Sequence, residues 1–271
     1  MKYTPTTPSA GVVMHSPSNR LSPSTTAAPR TAAAPLTLTA NDAPPFRDFG
    51  TPWWGGDRIT NYQTIGGVSY NIQCTVTTEY GSYMMSAGHC GPTGVLWYQG
   101  YYDGANIQSN GTMGTVQTVQ WGNNRTDSEL ISGSTYDAHV YTATSSGTSA
   151  VAVTGAATVA PGMSVCTDGS FTGYVCGATV GETNACVNIS DMGTVYNVCG
   201  LDIAQNPNAV IVQQGDSGGA VLANVGTDPT LGSIAKIAGT ISAEANNGHQ
   251  VSFADIGYQR QIFGVSPTLA H

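Results

Sequence analysis

Charge is scarce in this chain. Only 9% of its 271 residues are Asp, Glu, Lys or Arg, and lysine occurs twice, at Lys2 and Lys236. Lys and Arg total 8 against 16 Asp and Glu, a formal net charge of −8. A phosphate-binding surface needs clustered cations, so nucleic acid is excluded as a partner. No apolar run approaches the roughly 20 residues of a membrane-spanning helix, so no membrane partner is expected. Long stretches with a 3.6-residue apolar period are absent, which argues against a helical fold. The C-x-x-C spacing of zinc sites is missing too, and neither metal nor cofactor is expected. Finally, Met1-Lys2-Tyr3 runs into Thr4-Pro5-Thr6-Thr7-Pro8 without the apolar stretch of a secretory signal.

What is present points to strands. There are 34 glycines, with abundant Thr, Ser, Val and Tyr, the composition of short strands joined by tight turns and so of an all-β fold. Residues 1–45 are rich in Pro, Thr, Ala and Ser and too poor in large apolar groups to offset ordering entropy, so a disordered tail or linker is expected there. Packable sequence begins at Phe46, Phe49, Trp53 and Trp54. Strand signals follow at residues 69–77, 83–87, 94–99, 113–119 and 138–142. After a connector at 147–158 a second set reads at 163–166, 174–180, 195–199, 210–213, 220–222, 234–242 and 251–253. Residues 254–263 suit a short terminal helix.

The six cysteines are Cys74, Cys90, Cys166, Cys176, Cys186 and Cys199. An even count without metal-type spacing implies three disulfides and an oxidising, extracellular compartment. Sequential pairing would close short loops worth about 3 kcal/mol each, but spacing alone leaves all 15 pairings open. An exported protein needs a signal this N-terminus does not carry, so either a start further upstream or a fragment whose export segment lies outside this sequence is expected.

The chemistry concentrates in two segments. Gly215-Asp216-Ser217-Gly218-Gly219 sets a serine among glycines, leaving room for a carbonyl to approach the hydroxyl and for backbone N–H groups to face an oxyanion. Ser86-Ala87-Gly88-His89-Cys90 supplies a base that titrates near neutrality. In the order His then Ser, these motifs resemble the trypsin/chymotrypsin-like serine peptidases. The cysteine-closed hairpin from Val165 to Gly177 and Trp53-Trp54-Gly55-Gly56-Asp57 resemble the bacterial streptogrisin/α-lytic branch.

That resemblance, spanning about Phe46 to Val265, implies two six-stranded antiparallel β-barrels (about 59–146 and 150–265) with the active site between them, in a peptidase domain of residues 46–271. It implies a monomeric endopeptidase acting on polypeptides through an acyl-enzyme. Ser217 is then the nucleophile, His89 the base, and Gly215 and Ser217 the oxyanion-hole donors. Asp103, Asp127, Asp137, Asp168, Asp191, Asp202 and Asp216 lie between His89 and Ser217. Asp137 is the expected third member because it opens the apolar strand Ala138-His139-Val140-Tyr141, and Asp127 is the alternative. Ser242 resembles the family serine that supports the triad aspartate.

Ile211, Val212, Gln214, Ser242 and Glu244 are the expected substrate pocket. Ile211 stands where trypsin-like relatives carry a carboxylate, so small to medium neutral side chains are expected at P1. The chain departs from the branch at Thr167, where an arginine would pair with the buried Asp216; Arg58 or Arg125 could replace it. Two rival readings stand: a binding protein on a peptidase scaffold, and an esterase. Esterases with a Gly-x-Ser-x-Gly elbow place His after Ser in an α/β fold, which this chain does not match.

Overall fold

The structure, a computed structural model, describes residues 12–14, 47, 50–65, 68–102, 106–143 and 149–271. The expected tail at 1–45 lies outside these residues except for one short strand, and Phe46, Phe49 and Asp103 lie outside them too. In chain order the elements are β1 (Val12–Met14), β2 (Trp53–Gly55), β3 (Arg58–Ile65), β4 (Val68–Thr75), β5 (Glu79–Tyr80) and β6 (Tyr83–Ser86). Then come β7 (Leu96–Tyr102), β8 (Ile107–Gln120), β9 (Ser128–Ser132), β10 (Tyr136–Tyr141), β11 (Ala150–Ala156) and β12 (Ser164–Gly169). The last are β13 (Gly173–Asp191), β14 (Thr194–Gln205), β15 (Ala220–Asp228), β16 (Gly232–Ala245), β17 (Gln250–Asp255) and the helix α1 (Ile256–Phe263).

Two barrels result, as expected. The first follows the order β4-β3-β7-β8-β9-β6-β5. Its ends meet where the Thr77 N–H donates to Met85 O (2.8 Å) and the Met85 N–H to Thr78 O (3.1 Å). Alternation along these strands sends Ile59, Ile72, Met84, Trp97, Met113, Val116 and Ile131 into one interior. In the second, the order β15-β12-β13-β14-β17-β16 closes on itself because β15 also pairs with β16. Val165, Ala178, Val180, Val221, Ile241, Val251 and Phe253 fill that interior. Closure removes the open edges that would otherwise invite pairing with another chain.

The helix ends where local chemistry dictates. The Asp255 side chain accepts from the Tyr258 N–H (2.8 Å) as N-cap, and Gly264, at φ 68°, closes the C-terminus. Nη1 of Arg47 bonds both carboxylate oxygens of Asp168 (2.6 and 2.7 Å), and both side chains are buried.

Three expectations are corrected. Residues 210–213 are not a strand, because the Ile211 and Val212 N–H groups both turn to Gly248 O instead of a ladder. The connector at 147–158 contains β11, parallel to β16. Residues 138–142, grouped with the first barrel in sequence, fall mostly in β10, which pairs with β11 and β2 in the sheet of the second barrel.

Candidate active site

His89 follows β6 in a turn closed by the Cys90 N–H donating to Ala87 O (3.1 Å). The Cys74–Cys90 disulfide ties that turn to β4. The other two bridges are Cys166–Cys176 and Cys186–Cys199, so the pairing is sequential. Among the described residues, Cys74, His89 and Cys90 are the one group close enough to suggest a metal, but both sulfurs are oxidised.

The carboxylate that meets the imidazole belongs to Asp127. Nδ1 of His89 lies 2.7 Å from Asp127 Oδ2, while the His89 backbone N–H donates to Oδ1 (2.9 Å). The Ser242 hydroxyl, from β16, donates to the same Oδ2 at 2.5 Å. Both the His89 and the Asp127 side chain are fully buried. Burial opposes the imidazolium charge, but the Asp127 carboxylate and its hydrogen bond outweigh it, with Asp191 adding to them, so the His89 pKa is raised. Nε2, the opposite ring nitrogen, is buried without a hydrogen-bond partner.

Asp137 is elsewhere, which corrects the expectation. It lies on β10, bonded to its neighbour but one, His139 (2.8 Å), with the two side chains 37% and 32% exposed. The strand entrance that singled out Asp137 belongs to the second barrel's sheet. Asp127 instead precedes β9, a first-barrel strand that pairs with β6 and so runs beside the His89 turn.

Ser217 sits in a tight turn in which the Asp216 N–H donates to Gln213 O (3.1 Å) and the Gly219 N–H to Asp216 O (2.8 Å). The Ser217 carbonyl accepts from the Thr75 N–H (2.7 Å), joining the turn to the strand that carries Cys74. Gly218 has φ +89°, and a Cβ there would overlap Thr75 O and the Ser86 hydroxyl. Only glycine lets the serine turn press this close to the histidine segment. Among the described residues, neither the Gly215 nor the Ser217 N–H is taken by a backbone carbonyl outside the ladders, as oxyanion donors require.

Asp216 is buried, and burial raises its pKa. Its carboxylate accepts the N–H groups of Phe171 (2.8 Å), Thr172 (3.0 Å) and Gln213 (2.9 Å). The nearby cation is Arg58, stacked 3.8 Å from the Phe171 ring centre and donating to Ser170 O (2.8 Å). Burial lowers the Arg58 pKa to about 9, against the attraction of Asp216, and leaves it charged at neutral pH. Thr167 donates its hydroxyl to Ile211 O (2.6 Å).

Of the expected pocket residues, Ile211 and Val212 are buried in the apolar cluster of the second barrel, Ser242 is bonded to Asp127, and Gln214 is exposed. Glu244 is partly buried and has a partner of its own. A groove of about 810 Å³ opens beside His89, lined among others by Tyr62, Pro92, Val95, Trp121 and Arg125. Trp121, which sequence reasoning did not single out, packs on the imidazole with ring centres 5.2 Å apart.

Buried His and Asp side chains, a supporting serine and a second serine in a glycine turn lie where two barrels meet, and the two-barrel fold is that of bacterial chymotrypsin-like proteases. Solved structures bear out this fold. Cellulomonas bogoriensis chymotrypsin aligns with a TM-score of 0.57 at 21% identity, over 80% of this chain and 98% of its own. Thermobifida fusca protease A gives 0.57 at 23% identity over the same shares. A Nocardiopsis protease (NAPase) gives 0.56 at 22% identity, over 79% and 98%. No family model and no curated protein matches the chain.

Proposed function

We propose that this protein is a secreted serine endopeptidase, with Ser217 as nucleophile, His89 as general base and Asp127 as the group that positions His89. The observation that carries the reading is the Asp127–His89 pair. A carboxylate on Nδ1, itself held by Ser242, keeps the proton there and leaves Nε2 free to accept one. As the Ser217 oxygen attacks a substrate carbonyl, Nε2 takes the hydroxyl proton, and the oxyanion falls to the Gly215 and Ser217 N–H groups. Collapse of the tetrahedral intermediate breaks the C–N bond, and the imidazolium returns its proton to the leaving amine. Water then repeats the sequence on the acyl-enzyme, with His89 as base and Ser217 as leaving group.

Three disulfides support an extracellular site of action. The test is hydrolysis of an unfolded protein substrate by the oxidised full chain. Cleavage that vanishes in Ser217→Ala is expected. Cleavage that persists in that variant, or none in the parent protein, overturns the reading.

A further inference from the structure

The loop that delivers Asp127 belongs to the first barrel, yet the second barrel holds it. β13 and β14 form a hairpin turning at Met192 and Gly193 and stapled by Cys186–Cys199. Its second arm runs along residues 122–125, which end two positions before Asp127. The Asn124 N–H donates to Asn197 O (3.0 Å), the Cys199 N–H donates to Arg125 O (3.0 Å), and Arg125 bridges Val198 in parallel.

Side chains repeat the connection. Tyr196 of β14 packs on Trp121 with ring centres 4.9 Å apart, and Trp121 packs on His89. A Cβ on Gly122, whose φ is +63°, would come within 2.9 Å of the Tyr196 ring, so the fit depends on that glycine. Met192, at the tip, reaches the apolar cluster of the first barrel.

We infer that the Cys186–Cys199 hairpin is a brace that positions Asp127 and His89 across the barrel interface, with Tyr196 as its positioning residue. The inference rests on the function proposed above. Asp127 is then held from two sides of the second barrel, through the Ser242 hydroxyl and through the backbone of β14. Proton transfer tolerates displacements well under an ångström, so a brace of this kind acts on turnover more than on substrate binding. Cys186 is exposed, unlike Cys74 and Cys90, which makes the staple accessible to reductants.

The test uses the full oxidised chain and the variants Tyr196→Ala, Tyr196→Phe and Cys186→Ser/Cys199→Ser. Turnover of a peptide substrate and the titration of His89 by NMR are read together. The charged groups that set that titration are Asp127, before β9, and Asp191, on the hairpin itself. Their attraction outweighs burial in the braced state, so release moves the His89 pKa down to the ordinary histidine range.

For Tyr196→Ala and the double cysteine variant, kcat should fall about tenfold to a hundredfold with KM within about twofold. Tyr196→Phe, which keeps the ring, should restore both kcat and titration. Parent-like kcat and His89 titration in Tyr196→Ala would overturn the brace, as would equal losses in the Ala and Phe variants. Should the cysteine variant not fold, the Tyr196 pair decides. Should the parent hydrolyse no peptide, the proposed function fails and the titration alone judges the brace: a downward shift in Tyr196→Ala supports it and an unchanged value refutes it.

Discussion

Replacing Asp127 by asparagine tests its role against that expected of Asp137 from the sequence. The amide would keep Oδ1, which accepts the His89 backbone N–H at 2.9 Å. It would put NH₂ where Oδ2 now meets both His89 Nδ1 (2.7 Å) and the Ser242 hydroxyl (2.5 Å). Nδ1 must then accept rather than donate, which drives the ring proton to Nε2. A ring protonated there cannot take the Ser217 proton. The expected loss in kcat is about 10⁴-fold, or about 5 kcal/mol of barrier, with the fold intact. Asp137→Asn should change kcat less than about twofold, because its pair with His139 is partly exposed and such pairs are worth about 1 kcal/mol or less. Steady-state hydrolysis of an activated peptide ester between pH 6 and 9, with circular dichroism to check folding, measures both. A large loss in Asp137→Asn beside a near-normal Asp127→Asn would refute the assignment.

Two further outcomes are expected. Burial raises the Asp202 pKa from 3.8 to about 6, assisted by Asp255 and opposed by the Asn184 N–H. The folded state therefore holds this proton more tightly than the unfolded chain, and stability is lost as pH rises from about 4 to about 6. Asp202→Asn should gain on the parent in urea unfolding between pH 4.5 and 7; a gap that stays constant or narrows contradicts this. In a P1 peptide library, Ala, Val, Leu or Phe should outperform Arg, because Ile211 and Val212 join an apolar cluster and offer no carboxylate to a desolvated guanidinium. A tenfold preference for Arg, abolished by Glu244→Gln, would make Glu244 the specificity determinant instead.

How much of this was legible in the chain can be followed residue by residue. The serine and histidine motifs are local: the glycines that permit close approach lie within the five residues around Ser217, and the cysteine that ties the other turn is next to His89. The terminal helix expected at 254–263 is found at Ile256–Phe263, capped by Asp255 and Gly264. Asp127 was harder to recognise because β9, the strand that follows it, reads as loop. Ser128-Glu129 looks solvated, yet Glu129 is fully buried. It accepts from Trp97 Nε1 (3.0 Å), and burial raises its pKa well above the usual carboxylate range. A polar residue made tolerable by a partner 32 positions away leaves no mark on local periodicity. The same holds for Arg47, whose partner Asp168 is 121 residues distant, and for Trp121, whose ring meets that of His89 from the far end of another first-barrel strand.

Labelling by a serine-directed phosphonofluoridate tests the central claim most directly. In oxidised, folded protein the reagent should modify Ser217 stoichiometrically, as read by intact mass and peptide mapping. His89→Ala should suppress the reaction, because an unassisted hydroxyl is a poor nucleophile. Absence of label on Ser217 in the parent protein, or labelling unaffected by His89→Ala, would contradict a nucleophile activated by this histidine.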